Sequence, residues 1–285
     1  MSAIFHTHTQ GSSKSLPFPE LDASMRRFMV QGVPCWAWFF AWIVGVKVLK
    51  FLAPHIPYNR PIYWAHALTL ECMAFFVVFI LRFFPSKPLV LGEGRPVLLV
   101  HGYMNHPNVW WFQKKWLKSL GFGPLYTISL GHPFQSIYRY AEIVKSKVDQ
   151  IAQDTHRDDI ILIGHSMGGL VALWCGVQLD KGRLIKDIVT IASPLQGTPV
   201  AWLGMGPNAK EMRPKSPFIE ELHRALKGNS LIRFQHIATH SDQLVIPGVS
   251  ACLLENPHYI FKDLGHASLL FSKRTAQKIS SFYSP

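Results

Sequence analysis

The sequence is short of cysteine, of acidic residues and of clustered charge, and each shortage narrows what the chain can be. Its four cysteines are Cys35, Cys72, Cys175 and Cys252. None forms a C-x-x-C pair or a metal-ligand spacing, so neither a disulfide framework nor a zinc site is expected. Cys175 is expected in the core. Acidic residues number 17 against 29 Lys and Arg, a formal net charge of +12. The basic residues are scattered, without the Lys/Arg run that marks a nucleic-acid patch, so no nucleic-acid partner is expected. A basic surface near anionic lipid headgroups fits better. There is no internal repeat. A secretory signal peptide fits poorly, because the first apolar run begins late and no small-x-small cleavage site follows it.

What is present divides into three parts. Residues 1–27 read as a disordered polar tail, whose His6 and His8 are solvated rather than metal-bound. Residues 28–88 carry two apolar segments, Phe28 to Leu52 and Ile62 to Phe84, expected as two hydrophobic helices. Each approaches the roughly 20 apolar residues needed to cross a bilayer. Neither is clean: Gly32, Pro34 and Lys47 interrupt the first, His66 and Glu71 the second. Two transmembrane helices, helices dipping into one leaflet, or an apolar cap on the following domain are the readings, and the first is taken. Trp36, Trp38, Trp42 and Trp64 suit an interfacial aromatic belt. Basic residues flank every side, so orientation is not fixed. The location expected is a bacterial inner membrane.

From residue 89 to 285 short apolar strands alternate with amphipathic stretches, which argues for a mostly parallel α/β sheet with helices on both faces. Strands are expected at Pro96–Val100, Leu125–Leu130, from Ile160, at Ile185–Ile191, Ile232–Ala238 and Pro257–Phe261, and helices at Val109–Leu120, Ile137–Thr155 and after Ser166. Within this region Ile160-Ile161-Leu162-Ile163 runs into Gly164-His165-Ser166-Met167-Gly168-Gly169 and then Leu170-Val171-Ala172-Leu173. The pattern is G-x-S-x-G between a strand and a helix, a nucleophile elbow. The turn is so tight that Gly164 and Gly168 leave room where side chains would collide. Ser166 then stands at a helix N-terminus, where free N–H groups favour negative charge.

A serine hydroxyl needs a base, an orienter for the base and donors for an oxyanion. In this architecture acid and base follow the nucleophile in that order, each on a loop after a strand. Asp242, in Thr239-His240-Ser241-Asp242-Gln243, occupies the acid position. His266, in Asp263-Leu264-Gly265-His266-Ala267, occupies that of the base. His165 points elsewhere on the elbow, His258 lies at the wrong end of the sheet, and Asp263 is too near His266 to reach it. The oxyanion donors expected are the backbone N–H groups of Met167 and Tyr103, the latter on the loop after Val97–Val100.

The stretches V-H-G-Y-M-N, G-H-S-M-G-G, A-S-P-L-Q-G-T-P-V-A, S-D-Q-L-V-I-P and G-H-A-S-L-L together resemble a bacterial lipase or esterase of the α/β-hydrolase superfamily, similar to triacylglycerol lipases. The resemblance implies the α/β-hydrolase fold, with Ser166, Asp242 and His266 as triad and Tyr103 and Met167 as oxyanion hole. It does not extend to the apolar N-terminal segments. Some such lipases hold a structural calcium, but only Glu255 and Asp263 lie between acid and base here to bind it, so no metal and no cofactor are expected. The activity expected is hydrolysis of lipid or other hydrophobic acyl esters, entered under a short cap at 197–235. An acyltransferase or thioesterase would use the same triad, and a silent membrane scaffold would not need it.

Overall fold

The computed structural model describes residues 61–283, with side chains from residue 66 onward. The polar tail expected over 1–27 and the first apolar segment lie outside the described residues.

Seven strands form one sheet: β1 (Leu89–Val90), β2 (Val97–Val100), β3 (Leu125–Ile128), β4 (Ile160–His165), β5 (Ile185–Ile191), β6 (Arg233–Thr239) and β7 (His258–Phe261), in spatial order β1-β3-β2-β4-β5-β6-β7. All pairings are parallel except β1 with β3. Every residue of β2 and β4 is buried, as expected of strands covered on both faces. Side chains alternate between the faces. Leu98, Val100 and Leu162 join one apolar layer, while Val97, Leu99, Ile161 and Ile163 join the other.

Helices cover both layers: α1 (Pro61–Leu81), α2 (Trp111–Ser119), α3 (Ile137–Thr155), α4 (Met167–Trp174), α5 (Gly206–Glu211), α6 (Pro217–Leu226) and α7 (Lys273–Ser281). Helix α3 matches its expected bounds and buries Ile137, Tyr140, Ala141, Val144, Val148 and Ile151 along one stripe. Ser136 caps it. The expected helix at Val109–Leu120 opens instead as a 3-10 turn, Pro107–Trp110, before α2. Cys175 is buried, as expected.

Val100 pairs with Ile128 on one side and Gly164 on the other. The chain leaves β2 in one direction to form β3, and returns across it to form β4. This reversal opens a crevice at the carboxyl ends of β2 and β4, the place where open α/β sheets bind ligands. The loops after β2, β4, β6 and β7 all end at that edge.

Helix α1 corrects part of the expectation for the second apolar segment. Among the described residues, no helix is long and apolar enough to cross a membrane. Instead one face of α1, with Ala67, Glu71, Ala74 and Leu81 buried and Leu70 and Val78 half-buried, packs on the sheet-bearing domain. The spacing of these residues is the three-and-four repeat of a helix stripe. Glu71 explains why: a carboxylate in mid-segment is costly in lipid, but here it is satisfied by backbone N–H groups of the domain. The opposite face leaves Leu68, Met73, Phe75, Phe76, Phe79 and Ile80 exposed. Carbonyls at the C-terminus of α1, and that of Phe84 just beyond it, also have partners. Asn108 Nδ2 donates to Leu81 O at 2.9 Å and to Phe84 O at 2.7 Å, and His106 Nε2 donates to Val78 O at 3.2 Å. These bonds satisfy groups that every helix end leaves open.

The cap consists of a 3-10 turn, Pro199–Trp202, with α5 and α6. Strand β6 begins at Arg233, inside the interval 197–235 expected for the cap. Glu211 fastens the cap to the domain. Its carboxylate accepts from Ser136 Oγ and from Ile137 N–H, both at 2.6 Å, a favourable place for negative charge at the N-terminus of α3.

Candidate active site

Ser166 lies between β4 and α4 with φ 56° and ψ −129°. A non-glycine residue in this region stores strain on the order of 1–3 kcal/mol, and persists only where its surroundings enforce it. The enforcement is visible. A Cβ on Gly168 would collide with the carbonyl oxygens of Val100 and His101, and one on Gly164 with the backbone of Gly168. The end of β2 and the start of α4 therefore approach more closely than any side chain allows. The backbone of Gly102 lies against Ser166 itself, since a Cβ there would meet Ser166 Cβ at 2.8 Å.

Asp242 and His266 are both buried and are hydrogen-bonded to each other. His266 Nδ1 stands 3.0 Å from each carboxylate oxygen of Asp242. The carboxylate can only accept, so Nδ1 carries the proton and Nε2 keeps its lone pair. Asp242 Oδ1 also accepts from Leu244 N–H at 2.8 Å and Val245 N–H at 2.7 Å, which fixes the side chain against its own turn. Gln243 Oε1 accepts from His266 N–H at 3.2 Å. Burial pulls the His266 imidazole down, but the charge and hydrogen bond of Asp242, with the charge of Glu71, outweigh it and hold the group above its ordinary value.

His165 and His101 flank the candidate site as buried, hydrogen-bonded histidines. His165 Nε2 donates to His266 O at 3.1 Å, and the two rings lie 4.8 Å apart. This contact brings His266 beside the elbow. Burial first, and the neighbouring His266 second, push His165 well below its ordinary value, so it stays neutral. His101 Nδ1 donates to Gly102 O at 3.0 Å while its Nε2 accepts from Leu130 N–H at 3.3 Å. Burial lowers its pKa to about 4. A neutral His101 thus pins the loop after β2.

Ser166 Oγ makes no hydrogen bond to His266 in this arrangement. It opens instead on a cavity of about 240 Å³ walled by Tyr103, Val200, Leu203, Met212, Leu244 and Val245. The N–H groups of Met167 and Tyr103 have no acceptor among the described residues. Tyr103 does more than the sequence foretold: its hydroxyl donates to Met205 O and accepts from Met205 N–H, both at 2.9 Å, joining the loop after β2 to the cap.

Two contributors to the site were missed in the sequence. Thr198 Oγ1 donates to Leu244 O at 2.8 Å and accepts from Ile246 N–H at 3.3 Å, so the S-P-L-Q-G-T-P stretch braces the loop of Asp242. Glu71 accepts from Ala267 N–H at 2.6 Å and Ser268 N–H at 3.0 Å, directly after the histidine. In the sequence Glu71 appeared only as a blemish in an apolar run. Of the residues set aside, Asp263 is paired with Arg274 at 2.6 Å and His258 opens β7 at the far edge.

With this sheet order and elbow in place, the comparisons with known proteins fall into line. Residues 97–269 match the pattern of the Alpha/beta hydrolase family, and the chain belongs to that family. Among solved structures it is similar to Bacillus licheniformis lipase BlEst2 in its mature form, at 14% identity and a TM-score of 0.60, over 71% of this chain and 98% of that one. Aspergillus fumigatus lipase B is similar at 18% identity and a TM-score of 0.54, over 67% of this chain and 53% of that one. A bromoperoxidase from Bacillus anthracis is similar at 13% identity and a TM-score of 0.52, over 68% and 93%. At such identities the likeness is one of fold, and proteins named for different chemistries share it, so function has to be argued from the site.

Proposed function

We propose that this protein is a serine esterase that cleaves carboxylic esters of hydrophobic acyl groups. The observation that carries the reading is the buried Asp242–His266 pair, proton on Nδ1, set beside an elbow whose Ser166 hydroxyl faces an apolar cavity. Ser166 Oγ attacks the ester carbonyl as its proton passes to His266 Nε2. Asp242 holds the imidazole in the required tautomer and stabilises the imidazolium. The N–H groups of Met167 and Tyr103 receive the oxyanion. The imidazolium then protonates the departing alkoxide, and a water activated by His266 releases the acid from Ser166.

The cavity is smaller than the roughly 300–1,000 Å³ of ordinary ligand sites. This supports short to medium acyl chains over long ones. A fluorophosphonate probe is expected to label the wild type and not Ser166→Ala, and a chain-length series of nitrophenyl esters is expected to peak below the long fatty acids. Absence of labelling in folded wild type refutes the esterase reading.

We also propose that the enzyme works at a membrane surface, the inner membrane of a bacterium. The apolar row on the outer face of α1, where Phe76 is 67% exposed, and the net charge of +12 support contact with anionic lipid. The chain is expected to float with vesicles containing anionic phospholipid, and Phe76→Ser with Phe79→Ser to weaken that binding without loss of activity on a soluble ester. Flotation that is unaffected by these changes counts against α1 as the contact.

A further inference from the structure

Glu71 sits on α1, outside the stretch of chain that matches the family, yet it touches the base-bearing loop. Its two carboxylate oxygens accept from consecutive backbone N–H groups, Ala267 and Ser268, immediately after His266. The approach is made possible by Gly265: a Cβ there would lie 2.5 Å from Glu71 Oε2 and 2.7 Å from Gln243 Oε1. Gly265 N–H in turn donates to Ser268 Oγ at 2.7 Å, closing the loop on itself. The same helix is tied to the loop at its other end, where His66 Nδ1 donates to Asp263 O at 3.0 Å. Just beyond the helix, Arg82 Nη2 donates to Met104 O at 2.9 Å, next to Tyr103. Thus α1 and its extension span the loop of the base and the loop of the expected oxyanion donor.

We infer that Glu71 is a positioning residue for the reaction, clamping the His266 loop through its backbone and placing a second negative charge beside the imidazole. The inference rests on the esterase reading, in which His266 is the base. A buried carboxylate at this place has a cost. Burial raises the Glu71 pKa, and the charge of His266 and the two N–H donors offset part of that rise. The arrangement is most favourable when His266 is an imidazolium, the state formed as Ser166 attacks. Glu71 therefore stabilises the transition state more than the resting enzyme, the only kind of interaction that raises kcat.

The groups facing His266 are few. Asp242 comes from the loop after β6, Glu71 from α1, and His165 from the elbow. His165 stays neutral, held well below its ordinary value by burial. On the histidine's own loop Asp263 is paired with Arg274. The charge on the imidazole is thus governed by two carboxylates, one in the expected triad and one from α1.

The test compares Glu71→Gln and Glu71→Asp with wild type in full-length protein, by kcat, KM and the pH dependence of kcat/KM. Glutamine removes the charge and sets an amide N–H₂ against one of the two backbone donors. The imidazole then loses a proton more readily, so the acid limb of kcat/KM is expected to move to lower pH, with kcat down roughly tenfold and KM little changed. Aspartate keeps the charge on a shorter arm, so its acid limb is expected to stay near the wild-type pH while kcat falls. An unmoved acid limb and a wild-type kcat in Glu71→Gln overturn the inference. A drop in melting temperature common to both variants, with no difference between their pH profiles, overturns it too. If Glu71→Gln does not fold, a wild-type kcat in Glu71→Asp has the same force. Wild type that is labelled at Ser166 and hydrolyses esters, beside an indifferent Glu71, sinks this inference alone; wild type that is never labelled sinks the esterase reading beneath it.

Discussion

Replacing Asp242 by asparagine offers the sharpest test of the proposed chemistry, because the structure dictates how the new amide must sit. Oδ1 already accepts from Leu244 and Val245 N–H, at 2.8 and 2.7 Å. Only an oxygen can take that place. The amide N–H₂ must then replace Oδ2, which faces His266 Nδ1 at 3.0 Å. An amide donor there repels an Nδ1 proton, whose other contact, Oδ1 at 3.0 Å, is already taken by two backbone N–H groups, so His266 is expected to move its proton to Nε2 and present Nδ1 as the acceptor. The lone pair needed to activate Ser166 is gone. The turn bonds survive, so the fold should too. A triad with the wrong tautomer loses about 10⁴ in kcat, equivalent to about 5.5 kcal/mol of barrier. Asp242→Asn should therefore melt within a few degrees of wild type, bind ester with a similar KM, and turn over at about one ten-thousandth of the rate. A variant within tenfold of wild type refutes the assignment of Asp242 as orienter and of His266 as base.

Further outcomes follow from the same geometry. Ser166→Gly relieves the positive φ at the elbow and should raise stability by about 1 kcal/mol in thermal unfolding while abolishing activity; a destabilised variant counts against stored strain. Tyr103→Phe removes both hydrogen bonds to Met205, and should cost about 1 kcal/mol of stability and lower kcat/KM several-fold as loop and cap part company; unchanged kinetics show that the tie is idle. The balance of charges around His266 raises its pKa, and the neutral imidazole is the active form. The wild-type kcat/KM should therefore fall with decreasing pH through a midpoint above the ordinary histidine value of about 6.5. A midpoint below that value contradicts the electrostatics described.

Local rules determined much of this protein in its sequence. Strands such as Val97–Val100 and Ile160–His165 are legible because a continuous apolar run between turn signals can only be buried on both faces. Helix α3 is legible because its apolar stripe recurs every three or four residues. The elbow is legible because two glycines must flank a residue forced into its strained turn, and Asp242 and His266, expected as acid and base from their places after later strands, are brought together in the structure. None of these required knowledge of what touches what. The second apolar segment shows where that reasoning ends. Hydropathy weighs Glu71 only as a charge among apolar residues, and a span remained the favoured reading. Its partners, Ala267 and Ser268 N–H, lie almost two hundred positions away, and no local pattern announces them. The same holds for Tyr103, whose hydroxyl reaches Met205 across the chain, and for Thr198, which braces the loop of Asp242. Periodicity and motif spacing indicated which residues face inward and which form the candidate site. Only the tertiary structure decided that a buried carboxylate on an apolar helix belongs beside the loop of His266, because burial is cheap for a charge only where distant donors meet it.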